Sequence, residues 1–140
     1  VDEYQIYESK LYGADCILII LSMLQQNDAD KFCKIATELN MDAIIEVHNK
    51  EELQRAETMK SNMIGINNRD LNNFITDIET TIKLASNIHD KDKLIISESG
   101  FSSKRDIDLI YNETNISNFL IGEFLMKSNN LPTFIENLLT

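Results

Sequence analysis

Hydrophobic residues recur along the chain in two alternating modes. Short Ile-rich runs at Cys16–Ile20, Ala43–Val47, Met63–Ile66, Leu94–Ser97 and Phe119–Ile121 predict strands. Between them apolar residues return at helical spacing: Phe32, Ile35, Ala36 and Leu39, then Leu53, Ala56 and Met59, then Ile78, Ile82, Ala85 and Ile88, then Ile107 and Ile110, and last Phe134, Ile135 and Leu138. Each stripe reads as ordinary core. A first helix is expected over about Gln5–Tyr12 and stopped by Gly13, Asn40 closes the second helix, and Pro132 sits where the last begins.

A β–α unit is thus repeated along residues 1–140 without a Gly/Ser-rich linker or a charge block, which predicts one domain. Such alternation makes parallel strands joined by right-handed crossovers. The strands could complete an open flavodoxin-like sheet, or supply about five of the eight β–α units of a (β/α)8 TIM barrel, an α/β fold for which about 250 residues are typical. Periodicity does not choose between them. A helix ahead of the first strand, and Val rather than Met at position 1, point to further units upstream.

Composition narrows the function. With 43% hydrophobic and 26% charged residues the chain is ordinary for a globular protein. A net charge of −10 argues against nucleic acid and against an anionic membrane surface as partners, because both would be repelled. A small phosphorylated substrate is compatible, given local cations or backbone donors set against the overall field. No apolar run approaches the ~20 residues that span a bilayer, nor is there a secretory leader, so a cytoplasmic protein is expected. Cys16 and Cys33 are too few for a disulfide framework, lack metal-ligand spacing, and fall where buried thiols do. Neither a metal nor a cofactor is expected.

Functional groups of parallel sheets collect at the carboxyl ends of strands. The run Ile44-Ile45-Glu46-Val47-His48 puts a carboxylate inside an apolar strand, with Glu46 on the face of Ile44 and His48. Burial should raise the pKa of Glu46 toward neutrality, as a general acid/base needs. His48 is expected to make a hydrogen bond at the start of a loop rather than to catalyse. In Gly65-Ile66-Asn67-Asn68-Arg69-Asp70, Gly65 admits a close approach to the backbone, Asn67 continues its face, and Arg69 is a cation at the rim. Ser97-Glu98-Ser99-Gly100 ends the fourth strand before a helix capped by Ser102 or Ser103, whose free N–H groups would suit a phosphate. Gly122 and Glu123 repeat the arrangement after the fifth strand.

These stretches resemble indole-3-glycerol phosphate synthase. The matching residues are Tyr4-Gln5-Ile6-Tyr7-Glu8 with Gly13-Ala14-Asp15, Ile45-Glu46-Val47-His48, Ile64 to Leu71 followed by Phe74, Asp77, Thr80 and Thr81, Ser97-Glu98-Ser99-Gly100, and Leu120-Ile121-Gly122-Glu123 with Leu125-Met126. The resemblance implies a TIM barrel of which this chain is the C-terminal portion. It also implies a carboxy-lyase of tryptophan biosynthesis that closes an indole ring on 1-(2-carboxyphenylamino)-1-deoxyribulose 5-phosphate with loss of carbon dioxide and water. By the same resemblance Glu46 is the catalytic carboxylate, Asn67 orients it and the substrate, and Glu98 touches the ribulose-derived chain. Arg69, Ser99 and Gly100 match phosphate-contacting positions, as do Gly122 and Glu123 through backbone N–H. The family's two catalytic lysines would both precede Val1, and Phe124 stands where the family generally has a small residue.

A portion of a longer enzyme is therefore expected, inactive alone and prone to self-association or to pairing with the missing N-terminal half-barrel. The competing readings are a half-barrel that keeps a phosphate-binding rim as a non-catalytic interaction module, and phosphoribosylanthranilate isomerase. Glu46 and the Asn67–Leu71 stretch speak against the isomerase.

Overall fold

The Ile-rich runs become strands because β-branched residues suit a pleated ribbon, except at Phe119–Ile121, where the strand covers Asn118–Leu120 and leaves Ile121 outside. The computed structural model describes residues 1–71, 74–127 and 130–139, without the side chains of residues 134 and 137–139. Its strands are β1 (Cys16–Ile20), β2 (Asp42–Val47), β3 (Met63–Asn67), β4 (Leu94–Glu98) and β5 (Asn118–Leu120). The helices are α1 (Glu3–Leu11), α2 (Gln26–Glu38), α3 (Lys50–Thr58), α4 (Glu79–Ala85), α5 (Lys104–Thr114), α6 (Glu123–Met126) and α7 (Leu131–Leu139). A 3-10 turn at Leu21–Met23 and the short α6 are not visible in the hydrophobic period. Of the last apolar stripe, Ile135 is 40% exposed, and the side chains of Phe134 and Leu138 lie outside the described residues.

Local signals set the helix ends. Asp2 caps α1 in a reciprocal box with Gln5, and Asn49 caps α3 by accepting from the Glu52 N–H. Gly13 and Asn40 take left-handed φ values of 86° and 53° where α1 and α2 stop.

The strands lie in the order β1-β2-β3-β4-β5, all parallel. Sequential order means that every crossover advances in one direction, as in a (β/α)8 barrel, whereas a flavodoxin-like sheet reverses direction once. The two faces differ accordingly. On one, Ile19, Ala43, Ile45, Val47, Ile64 and Ile66 are buried in a single core with Ala29, Phe32, Ala36, Leu53 and Ala56 of the helices. On the other, Leu18, Leu94 and Leu120 remain 45%, 45% and 52% exposed. An apolar sheet face of that kind is what opposing barrel strands cover.

Cys16 departs from expectation: Cys33 is buried, but Cys16 is exposed, because it lies on β1 at the sheet edge. A groove of about 410 Å³ runs along that edge between β1 and α1. No helix among the described residues is long and apolar enough to cross a membrane.

Candidate active site

Register brings the polar residues together. Ile20, Glu46, Gly65, Ile96 and Asn118 are aligned in one row across the sheet. Asn67, Glu98 and Leu120 make the next row toward the carboxyl ends. Glu46 and Glu98 are 4% and 2% exposed, on strands separated by β3. They meet because the residue between them is Gly65, over which Glu98 folds so closely that a Cβ there would stand 1.9 Å from its Oε1. The close approach anticipated at Gly65 is therefore that of a neighbouring carboxyl group.

Two carboxyl groups held this near one another do not both ionise readily. Burial, and then the charge of Glu46, push Glu98 up to about 7. Burial pushes Glu46 upward too, but His48, Asn67 and Glu98 outweigh it and hold Glu46 below the ordinary carboxylate range. The expected elevation thus falls on Glu98 rather than on Glu46, since only Glu46 has a cationic partner at hand. His48 Nε2 lies 3.2 Å from Glu46 Oε1. That contact is an ion pair without the alignment of a hydrogen bond, and Glu46 Oε1, His48 Nε2 and Glu98 Oε1 are buried without hydrogen-bond partners. His48, bracketed by Glu46 and Glu52, is raised to about 9.

Asn67 caps the loop after β3 by accepting the Arg69 N–H at 2.9 Å. Asn68 is buried and ties the site together. Its Nδ2 donates to Ser97 Oγ and to the Ser99 carbonyl, each at 3.1 Å, while its Oδ1 accepts from Thr81 N–H at 3.1 Å and Thr81 Oγ1 at 2.8 Å. These bonds fix the turn after β4, where Ser99 and Gly100 have φ of 64° and 81°. A side chain at Gly100 would be strained there, and its Cβ would stand 3.3 Å from that of Asn68.

A cleft of about 640 Å³ opens at the ends of β4 and β5. Arg69, Ser99, Gly100, Gly122 and Glu123, the residues singled out from sequence, all line it. Lys127 joins them, one helical turn after Glu123, a cation that the sequence reading missed although its (i, i+4) spacing was available. The Glu123 carboxylate pairs with Lys127 at 2.7 Å and with Arg69 at 2.5 Å, which lowers its pKa. Arg69 also lines a second cleft of about 700 Å³ with His48, Asn67 and Leu71. Just ahead of α5 the Ser102 and Ser103 N–H groups are already engaged, since Asp106 Oδ2 accepts them at 2.7 and 2.9 Å. Gly122 has open space around it and an ordinary negative φ, so nothing in this structure demands glycine there. Among the described residues no group of three or more His, Cys, Asp and Glu side chains is arranged to hold a metal ion.

The profile of one protein family, described as indole-3-glycerol phosphate synthase, matches residues 1–138. An indole-3-glycerol phosphate synthase of Legionella pneumophila (strain Lens) is 45% identical over 140 residues, covering 100% of this chain and 54% of the relative. Its namesake in Caldanaerobacter subterraneus subsp. tengcongensis is 46% identical over 127 residues, 91% of this chain and 48% of the relative. That of Clostridium kluyveri (strain ATCC 8527 / DSM 555 / NBRC 12016 / NCIMB 10680 / K1) is 47% identical over 127 residues, 91% of this chain and 47% of the relative. The chain spans about half the length of the curated relatives it matches.

Proposed function

The chain belongs to the indole-3-glycerol phosphate synthase family, and we propose that it supplies the acid/base carboxyl pair and the phosphate rim of such an enzyme, acting in the cytoplasm in tryptophan biosynthesis. The substrate is 1-(2-carboxyphenylamino)-1-deoxyribulose 5-phosphate, and the products are indole-3-glycerol phosphate, carbon dioxide and water. The observation that carries this reading is the meeting of Glu46 and Glu98 over Gly65, beside a rim that bears Arg69 and the Ser99–Gly100 turn.

Ring closure followed by dehydration requires one group to take a proton and another to give one. A carboxyl pair that holds a single proton near neutral pH can do both without reorganising. Glu46 is the catalytic carboxylate of these transfers, Asn67 orients it, and Glu98 addresses the ribulose-derived chain. Arg69 with Ser99, Gly100 and the backbone at Gly122 and Glu123 receives the phosphate, offsetting a net charge of −10.

The remaining parts of the barrel would lie against the free edges of β1 and β5. The 45% to 52% exposure of Leu18, Leu94 and Leu120 supports such a complement. The experiment is to join this chain, by fusion or co-expression, to the three N-terminal β–α units of the Legionella relative and to assay indole-3-glycerol phosphate formation. We expect turnover that Glu46→Gln lowers by about two to four decades, since an amide keeps the shape but exchanges no proton. A stable, monodisperse assembly without that activity, or with phosphoribosylanthranilate isomerisation instead, would overturn the reading. The chain alone is expected to self-associate and to be inactive.

A further inference from the structure

The acid/base reading needs the proton of the pair to be held dependably on one of the two carboxyl groups. The decision is built at the junction of β2 and α3. The Glu52 side chain is 11% exposed and saturated with donors: Oε1 accepts from Asn49 Nδ2 at 2.8 Å, and Oε2 accepts the His48 backbone N–H at 2.8 Å. Burial pushes Glu52 upward, but the His48 ring first, and then the His48 backbone N–H and Asn49, outweigh it and hold Glu52 below the ordinary carboxylate range.

His48 Nδ1 lies 3.2 Å from the same Oε2, and an anchored carboxylate oxygen there demands Nδ1–H. The other ring nitrogen, Nε2, lies 3.2 Å from Glu46 Oε1. With Nδ1 already protonated, a neutral ring would turn a lone pair toward a carboxylate. An imidazolium donates Nδ1–H to Glu52 and sets its positive charge against Glu46. The ring is only 13% exposed, so the two interactions are weakly screened. The other charged groups around it are Glu98, which reaches Glu46 from β4, and Arg69, Asp70 and Asp77 of the loop after β3, on the walls of the same cleft.

We propose that His48 is a positioning residue for the carboxyl pair: bridging Glu52 and Glu46 as an imidazolium, it keeps Glu46 ionised and so leaves the proton of the pair on Glu98. This inference rests on the acid/base reading of that pair and fixes its polarity. Glu46 is the acceptor and Glu98 the donor as the reaction begins, and Glu52, on the first turn of α3, sets the bias through the ring.

The test is spectroscopic and independent of turnover. The chain contains 2 histidines, His48 and His89. Nitrogen-15 NMR of the histidine-labelled 140-residue chain, in solution or under magic-angle spinning, therefore gives two sets of ring signals, assigned with His89→Gln. We expect both ring nitrogens of His48 to be protonated at pH 7, with a titration midpoint near 9. In Glu52→Gln, which keeps the volume of the side chain, the midpoint should fall by at least one pH unit.

Carbon-13 NMR of glutamate-labelled protein, with Glu46→Gln and Glu98→Gln for assignment, reads the other half. At pH 6 the proton should reside on Glu98 in the parent chain and be shared with Glu46 in His48→Gln. In the completed barrel, His48→Gln should also raise the acidic limb of the pH–rate profile by about a pH unit. A neutral His48 ring at pH 7, or carboxyl signals indifferent to both substitutions, would overturn the proposal. Charge states as expected in an assembly without turnover would sink only the enzymatic reading.

Discussion

Substituting Gly65 tests the geometry on which the carboxyl pair depends. An added Cβ would lie 1.9 Å from Glu98 Oε1 and 2.7 Å from its Cδ, and 3.0 Å from Cγ2 of Ile44. Ordinary contact begins at about 3.4 Å, so the Glu98 carboxyl group must retreat by about 1.5 Å, away from Glu46. The methyl group otherwise enters a strand interior, where Ala exceeds Gly by roughly 0.5–1 kcal/mol in conformational entropy, an amount that offsets part of the strain. Gly65→Ala should therefore leave the fold intact, within about 1 kcal/mol by urea unfolding. Turnover in the completed barrel should fall by about two decades, the cost of misplacing a reacting group by an ångström. Because the displaced Glu98 is further from the charge of Glu46, its carbon-13 titration should also move down from about 7 toward the ordinary value. Shortening the side chain with Glu98→Asp in the Gly65→Ala background should lose less than the two single effects combined, since both act on one contact. Turnover within threefold of the parent, with an unchanged Glu98 titration, would refute the claim that Gly65 exists to let the carboxyl groups meet.

Three further outcomes follow from the same structure. Asn68→Ala removes four side-chain hydrogen bonds from a buried network, depriving the Thr81 N–H of its acceptor and leaving the Thr81 and Ser97 hydroxyls only each other, so chemical denaturation should show a loss of roughly 3 kcal/mol; a loss under 1 kcal/mol would contradict the network's role. In the completed barrel, Arg69→Ala should raise the Michaelis constant, whereas Glu123→Gln, which releases Arg69 and Lys127 from a competing carboxylate, should tighten inorganic phosphate by several-fold in calorimetry; weaker phosphate binding in Glu123→Gln would show that its charge orders the rim. Glu98 has a folded pKa above its unfolded 4.5, so its favourable contribution is complete below about 4.5 and is lost as pH rises through about 7. Between pH 4.5 and 7.5 the parent should lose about 2–3 kcal/mol through this group while Glu98→Gln does not; parallel stability curves for the two proteins would disprove it.

The order of elements was legible because local physics determines it. Ile-rich runs, the caps at Gly13 and Asn40, and the helical stripes each report on their own few residues, and β1 spans Cys16–Ile20 as its composition suggests. The rows across the sheet depend on register, and periodicity carries none. Alternation placed Glu46 on the face of His48, but it could not say that Glu98, two strands away, would lean across Gly65 to meet it. The misassigned pKa follows from the same gap: burial was foreseen for Glu46 alone, whereas the cation that reverses the shift is fixed by Glu52 on the next helix. Cys16 erred for a related reason, since its apolar run says strand but not edge.

The sequence signals that did carry the site were departures from strand composition: a carboxylate among isoleucines at Glu46, another after Ser97, and a glycine within Met63–Asn67. Each is unfavourable to its own strand taken alone, by an unpaired buried charge or by a missing side chain. In the folded sheet the three are one feature. The missing Cβ of Gly65 is the space that Glu98 fills, and the charge conflict that results is resolved by leaving a proton on one of the two carboxyl groups. A sheet selected for stability alone would fill Gly65 and bury two aliphatic residues in place of the glutamates. That the sheet carries all three against that preference is the physical argument for the proposed acid/base role of this part of its face.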